Sequence, residues 1–153
     1  MVPTFLGYNF KYLGSTISSN LSLDVEINAR IGKAATVMAR LNKRVWQNIS
    51  LTMKTRPKVY QACVTSILLC GCETWTPYTR QEGKLNSFHL LCLRRILGII
   101  WQDRIPNTSV LEKTKCSSIH ALFSQRCLRW LVTYAGWEKK GFQREISEKP
   151  RTQ

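Results

Sequence analysis

The sequence predicts a mainly α-helical protein, with about five helices in a small bundle and a short N-terminal β-hairpin. Apolar residues recur at spacings of three and four in stretches that begin near Ser22, Thr79 and Ser117, which is the period of a helix with one buried face. The stretch 59–70 is apolar almost all round, as in a central buried helix. Strand-like residues are confined to 1–20.

Residues 1–20 have β character. Phe10, Tyr12 and Ile17 lie on either side of Gly14-Ser15, and aromatic or β-branched residues flanking a glycine turn are typical of a hairpin. An isolated two-stranded hairpin is only marginally stable in water. We therefore expect this segment to add little stability of its own.

The segment from Ser22 to Trp46 has the clearest helical pattern. Ser22 or Asp24 is suited to cap it, and Asp24 and Glu26 suit the positive end of the helix dipole. The expected buried stripe consists of Ile27, Ile31, Ala34, Met38, Leu41 and Val45. The basic residues Arg30, Lys33, Arg40, Lys43 and Arg44 fall on a different arc. The pattern predicts an amphipathic helix with an apolar face and a cationic face.

Two longer helices are expected next. The first contains Pro57, tolerated only in its early turns, and continues through 59–70. The second begins at Thr79, because Thr79 and Glu82 have the spacing of a capping box, and ends near Gly98. Its apolar stripe consists of Leu85, Phe88, His89, Cys92 and Ile96.

Two further helices complete the predicted bundle. A short one runs from Pro106 to Lys113, and the last begins at Ser117 or Ser118. The last helix carries Ile119, Phe123, Trp130 and Tyr134. We divide the chain into a hairpin (1–20), one helical domain (21–137) and a charged, flexible tail (138–153).

The charge distribution points to a polyanionic partner. The 153 residues carry a formal net charge of +14, and between Ile27 and Cys72 there are eight basic residues and no acidic one. A merely solvated face usually mixes signs, whereas a face of one sign suits a phosphate backbone. The predicted nucleic-acid contacts are Lys11, Arg30, Lys33, Arg40, Lys43, Arg44, Lys54, Arg56, Lys58, Arg94 and Arg95.

The six cysteines form no Cys-x-x-Cys pair, and reduced, mostly buried thiols in a nuclear or cytoplasmic protein are expected. Cys70, Cys72, His89 and Cys92 are ligand types that zinc accepts. The first two lack the usual knuckle spacing and all four lie in apolar sequence, so a core role is favoured and no metal or cofactor is predicted. No apolar run approaches the roughly 18 residues of a membrane span.

An ordered set of motifs gives the chain a family resemblance. The motifs are Phe10-Lys11-Tyr12-Leu13-Gly14-Ser15, Cys72-Glu73-Thr74-Trp75, Leu85-Asn86-Ser87-Phe88-His89, Cys92-Leu93-Arg94-Arg95-Ile96-Leu97-Gly98-Ile99, Trp101-Gln102-Asp103-Arg104 with Asn107, and Leu128-Arg129-Trp130-Leu131. This set resembles the C-terminal region, from the thumb onward, of LINE-type (non-LTR) retrotransposon reverse transcriptases.

The resemblance implies a role in holding nucleic acid. The hairpin of this chain resembles the primer grip of that family. In the family, the helical region grips the primer–template or RNA–DNA hybrid. A palm domain upstream carries the catalytic Asp-Asp pair, which this sequence lacks. The resemblance therefore implies a fragment of an RNA-directed DNA polymerase that has no enzymatic activity by itself. The implied partners are RNA, DNA or an RNA–DNA hybrid, and an upstream palm domain.

Three departures from the family pattern leave other interpretations open. Cys70 replaces a usual tyrosine, Cys127 a usual arginine, and Val132-Thr133 a usual Gly-His pair. These changes fit a domesticated, non-catalytic module that binds RNA or DNA, or a transposable-element fossil without selected function. A third alternative is a chain that completes a separate palm in trans.

Overall fold

A computed structural model describes residues 9–12, 15–18 and 23–147. These residues confirm the mainly α-helical fold class, a small helical bundle preceded by two short strands. The elements are β1 (Asn9–Tyr12), β2 (Ser15–Ser18), α1 (Asp24–Arg40), α2 (Thr55–Tyr60), α3 (Ser66–Leu68), α4 (Thr79–Leu97), α5 (Asn107–Thr114) and α6 (Ile119–Ser147).

Two π-helical segments extend the α-helices. One, Asn42–Trp46, follows α1; the other, Gln61–Thr65, joins α2 to α3 without a break. We call the continuous rod made of α2, this π segment and α3 the central helix (55–68). Counted in this way, the described residues form five helical rods, as the sequence predicts.

The strands form an antiparallel hairpin in which Phe10 pairs with Ile17 and Lys11 with Thr16. β2 lies against α1, so the hairpin is attached to the bundle. Phe10 and Tyr12 are exposed. The predicted turn residue Gly14 lies outside the described residues.

The core forms where α1, the central helix and α4 meet. The apolar stripe predicted for α1 is confirmed, with Ile31 and Leu41 partly buried and the other members buried. On α4 the expected stripe is buried except for Phe88, which is half-buried against the core. The central helix contributes its fully buried side chains Tyr60, Val64 and Leu68, and Leu69 follows it.

The start of α4 differs by one residue from the prediction. Tyr78, not Thr79, is the N-cap, and its backbone N–H donates to Gln81 Oε1 at 3.1 Å. The Glu82 carboxylate instead pairs with His120 Nδ1 of α6. The end of α4 is as predicted, since Gly98 adopts the left-handed conformation (φ 69°) that glycine tolerates.

Asp24 joins two helices, and the N-cap position of α1 is Leu23. It is the first residue of α1, and its carboxylate accepts from Arg80 Nη2 at 2.9 Å and from Lys84 Nζ at 3.4 Å. The alternative cap, Ser22, lies outside the described residues. An acidic group of α1 is thus directed toward α4.

The last helix starts as predicted but ends later. Ser118 Oγ accepts from the Ala121 N–H at 3.3 Å and caps α6. The helix continues to Ser147, so 138–147, predicted as tail, is helical; 148–153 lies outside the described residues. No helix among the described residues is both long enough and apolar enough to cross a bilayer.

Candidate nucleic-acid interface

A groove with a volume of about 540 Å³ lies between α1 and the C-terminal part of the central helix. We call it the α1–α3 groove. It is lined by Arg30, Lys33, Thr36, Val37, Arg40, Ser66, Ile67 and Cys70. The α1 members recur at spacings of three and four, so they form one helical face beside the buried stripe.

The groove combines an apolar floor with cationic walls. Val37 and Ile67 supply apolar surface, and Lys33 and Arg40 are exposed. No acidic residue is among the described side chains that line it. The positive charge of Lys33 and Arg40 is therefore presented to solvent without a carboxylate in the groove wall.

Arg30 differs from its two basic neighbours. Its side chain is buried. Its Nε donates to Glu26 Oε1 at 2.7 Å, in an ion pair between residues one helical turn apart. Because the carboxylate offsets the guanidinium charge, Arg30 shapes the end of the groove more than it contributes positive potential. The sequence carried a signal for this pair, since Glu and Arg stand at i and i+4.

Four other predicted contacts are exposed outside the groove. Lys43 and Arg44 follow α1 in the π segment; Lys54 immediately precedes the central helix, and Lys58 lies in its first turn. Arg56, close to them, has a structural role: its Nη2 donates to the Asn48 carbonyl at 2.9 Å.

The remaining predicted contacts lie on other elements. Lys11 is exposed on β1, and Arg95 is exposed near the end of α4. Arg94 is directed into the fold, where its Nη2 donates to the Ile105 carbonyl at 3.0 Å and to Asn107 Oδ1 at 2.7 Å. The structure thus brings Arg30, Lys33 and Arg40 together and leaves the others dispersed.

Sequence reasoning missed the non-basic part of the groove. Thr36 Oγ1 donates to the Gly32 carbonyl at 2.9 Å, and Ser66 Oγ to the Gln61 carbonyl at 3.3 Å. The hydroxyl hydrogens of both residues are therefore used within their own helices, and the two oxygens remain available as hydrogen-bond acceptors. Cys70, expected in the apolar core segment, is exposed at the rim.

Two pairs of aromatic side chains lie in different environments. Trp46 and Trp75 are buried, and Trp46 Nε1 donates to the Met38 carbonyl at 2.9 Å. Both therefore belong to the core. Trp130 and Tyr134 are exposed on α6 and stack on each other, with ring centroids 5.3 Å apart.

The four residues weighed as zinc ligands have separate environments. His89 is buried, its Nδ1 lies 2.9 Å from the Tyr60 hydroxyl and its Nε2 lies 3.1 Å from the Ser117 carbonyl, so both ring nitrogens are occupied. Cys72 and Cys92 are buried, while Cys70 is exposed. Within the described ranges, no three His, Cys, Asp or Glu side chains are grouped so as to hold a metal ion.

Fold and groove together define a small helical protein with a cationic groove between two helices. Comparison of the chain with protein-family models, curated proteins and solved structures gives no match. The family resemblance therefore rests on the sequence motifs.

Proposed function

We propose that this chain is a non-catalytic nucleic-acid-binding module that holds a phosphate backbone against the α1–α3 groove. The observation that carries the proposal is the exposed pair Lys33 and Arg40 on one face of α1, in a groove with no acidic residue in its described lining. The resemblance to a reverse-transcriptase thumb favours an RNA–DNA hybrid or a primer–template as the ligand. RNA or DNA alone offers the same phosphate chemistry.

The geometry of α1 suits contacts to a backbone more than contacts to bases. Arg40 lies seven positions after Lys33, so their Cα atoms are roughly 10 Å apart along the helix axis. Long cationic side chains at that spacing reach successive phosphates, and such contacts carry no sequence information. Lys43 and Arg44 continue the exposed basic surface beyond the end of α1.

Salt dependence tests this proposal. Lys33→Gln with Arg40→Gln should weaken binding of an RNA–DNA hybrid. The slope of log affinity against log salt should flatten by up to about 0.9 per lost phosphate contact. Both side chains are exposed, so melting temperature should hardly change. The measurement is fluorescence anisotropy with a labelled hybrid at several salt concentrations.

The matched control removes the same charge elsewhere. Lys113 and Lys115 lie at the end of α5, are exposed, and do not line the groove, so Lys113→Gln with Lys115→Gln should leave most of the affinity. Equal weakening by both double variants would mean diffuse charge and no site. A chain that binds no hybrid even at low salt would fit the fossil interpretation.

The proposed module does not polymerise DNA. Phosphoryl transfer of this class uses carboxylates that hold metal ions, and the sequence contains no Asp-Asp pair. The purified chain should extend no primer on an RNA template with magnesium and nucleotides, while it binds the same primed template. Extension that survives rigorous purification would contradict the proposal. If the chain alone extends no primer, a palm domain supplied by a longer protein or a partner would account for any polymerase activity in cells.

A further inference from the structure

A second pocket, with a volume of about 300 Å³, lies between the central helix and the first half of α6. Gln61 and Thr65 line it from the central helix, and Gln125, Arg126 and Arg129 from α6. It shares no lining residue with the α1–α3 groove. Amide, hydroxyl and guanidinium groups dominate its wall, and no acidic residue is among its described lining.

Thr65 is an unusual feature of this wall. Its side chain is 3% exposed, and its Oγ1 has no hydrogen-bond partner among the described residues. The Thr65 side chain lies beside the Tyr60 hydroxyl, and that hydroxyl lies 2.9 Å from His89 Nδ1. Buried hydroxyls in proteins are nearly always paired, so the Thr65 hydroxyl is suited to bond a ligand atom in the pocket.

The two arginines complete a donor set for an oxyanion. Arg126 and Arg129 stand three residues apart on α6 and so share a face. Arg126 is held in place because its Nη1 donates to the Leu69 carbonyl at 3.3 Å, which leaves its other N–H groups for a ligand. Gln61 is held similarly, with its Nε2 directed to Cys116 Sγ at 3.4 Å. The pocket is thus partly preorganised.

We propose that this pocket binds a phosphate group, as inorganic phosphate or as a phosphate monoester. Arginine forks make short, charge-assisted hydrogen bonds to phosphate oxygens. The Thr65 hydroxyl and the amide of Gln125 supply neutral donors to the same group. The pocket is larger than one phosphate and leaves space for the remainder of an ester.

Calorimetric titration of inorganic phosphate into the full chain tests the site. With ionic strength held constant by chloride, phosphate should bind saturably at one site. Thr65→Val keeps the side-chain shape and removes only the hydroxyl, and Arg129→Gln removes an exposed charge; each should weaken phosphate binding by about tenfold. Thr65→Val should change the melting temperature little, because the hydroxyl it removes makes no hydrogen bond of normal geometry to a described residue.

The double variant Lys33→Gln with Arg40→Gln separates this site from the proposed backbone groove, and should leave phosphate affinity unchanged. Loss of phosphate binding in that variant equal to the loss in Arg129→Gln would overturn the proposal, as would the absence of saturable binding beyond chloride.

A second comparison identifies the source of the phosphate. An oligonucleotide with a 5′-phosphate should bind tighter than its unphosphorylated twin, with the difference lost in Thr65→Val, if the pocket takes a strand end. Equal binding of the two oligonucleotides, with inorganic phosphate still bound, assigns the pocket to a free phosphate or a small ester.

Discussion

The Tyr60 hydroxyl lies 2.9 Å from His89 Nδ1 and joins the central helix to α4 inside the core. His89 Nε2 faces the Ser117 carbonyl at 3.1 Å. A carbonyl only accepts, so Nε2 carries the proton and Nδ1 accepts from the Tyr60 hydroxyl. Burial lowers the pKa of His89, so the imidazole is neutral. One buried side chain therefore links the central helix, α4 and the segment that leads into α6.

This linkage predicts acid sensitivity. The unfolded chain protonates His89 below about pH 6.5, whereas the folded chain resists protonation because the pKa of the buried imidazole is lowered. The free energy of unfolding should therefore be greatest above pH 6.5 and decrease below it, by up to about 1.4 kcal/mol per pH unit until the folded pKa is reached. Urea denaturation at a series of pH values measures the slope.

Histidine variants isolate the contribution of His89. His89→Gln should lower stability at neutral pH and flatten the slope below about pH 6.5, since the titrating group is gone. His120→Gln is the matched control, because the His120 side chain is 75% exposed. If the slope persists in His89→Gln and disappears in His120→Gln, the acid sensitivity comes from the pairing of His120 with Glu82 and not from His89.

Two leucines on α4 test the orientation of that helix. Leu93 is fully buried, and Leu91 is 59% exposed. Leu93→Ala should destabilise the chain by about 2–5 kcal/mol, because it leaves a cavity. Leu91→Ala should cost no more than about 0.5 kcal/mol. Chemical denaturation of both variants makes the comparison, and similar losses would mean that α4 is rotated about its axis.

Substitutions of the neighbouring residues Arg94 and Arg95 should differ in their effect on stability. Arg94 donates to the Ile105 carbonyl and to Asn107, so Arg94→Ala should cost about 1–3 kcal/mol in stability. Arg95→Ala removes an exposed side chain and should change stability by less than about 0.5 kcal/mol. Melting temperatures and hybrid affinities are measured for both. A thermal loss in Arg95→Ala as large as that in Arg94→Ala would refute the assignment.

The thiols should react in a fixed order. Cys70 is exposed and should be alkylated first. Burial raises the pKa of Cys72 to about 12 and of Cys92 to about 11, so both lack thiolate at neutral pH and should react only on unfolding. Mass spectrometry after timed alkylation reads the order. Labelling of Cys72 as fast as that of Cys70 would show that this part of the core is open.

Cys70 also reports on the groove. Since Cys70 lies at the groove rim, a bound hybrid should slow its alkylation, while the half-buried Cys127 of α6 should label at an unchanged rate. Uniform slowing of both thiols would indicate association away from the groove.

Much of the fold was predictable because burial imposes a period on α1 and α4. The predicted N-cap of α4 was wrong by one residue because two overlapping pairs have the three-residue spacing of a capping box. These pairs are Thr79 with Glu82 and Tyr78 with Gln81. Only the structure shows that Gln81 reaches the Tyr78 N–H and that Glu82 faces α6.

The groove was only half predictable. A basic arc on α1 is visible in the sequence, but the opposite wall is not. The stretch 59–70 is apolar nearly all round, and which of its faces stays uncovered depends on where α1 lies against it. The pairing of Arg94 with Asn107 is likewise a long-range contact, without a local pattern to predict it.

The length of α6 has a consequence for hydrogen exchange. Its 29 residues span roughly 43 Å, and every residue from Leu128 to Gly136 is exposed. The first turns are held by Ile119, which is fully buried, whereas the amides from Leu128 to Gly136 lie in an exposed stretch of helix. Amide protection should therefore decline along α6, from values near the global stability of the bundle at its start toward those of an isolated helix by Gly136.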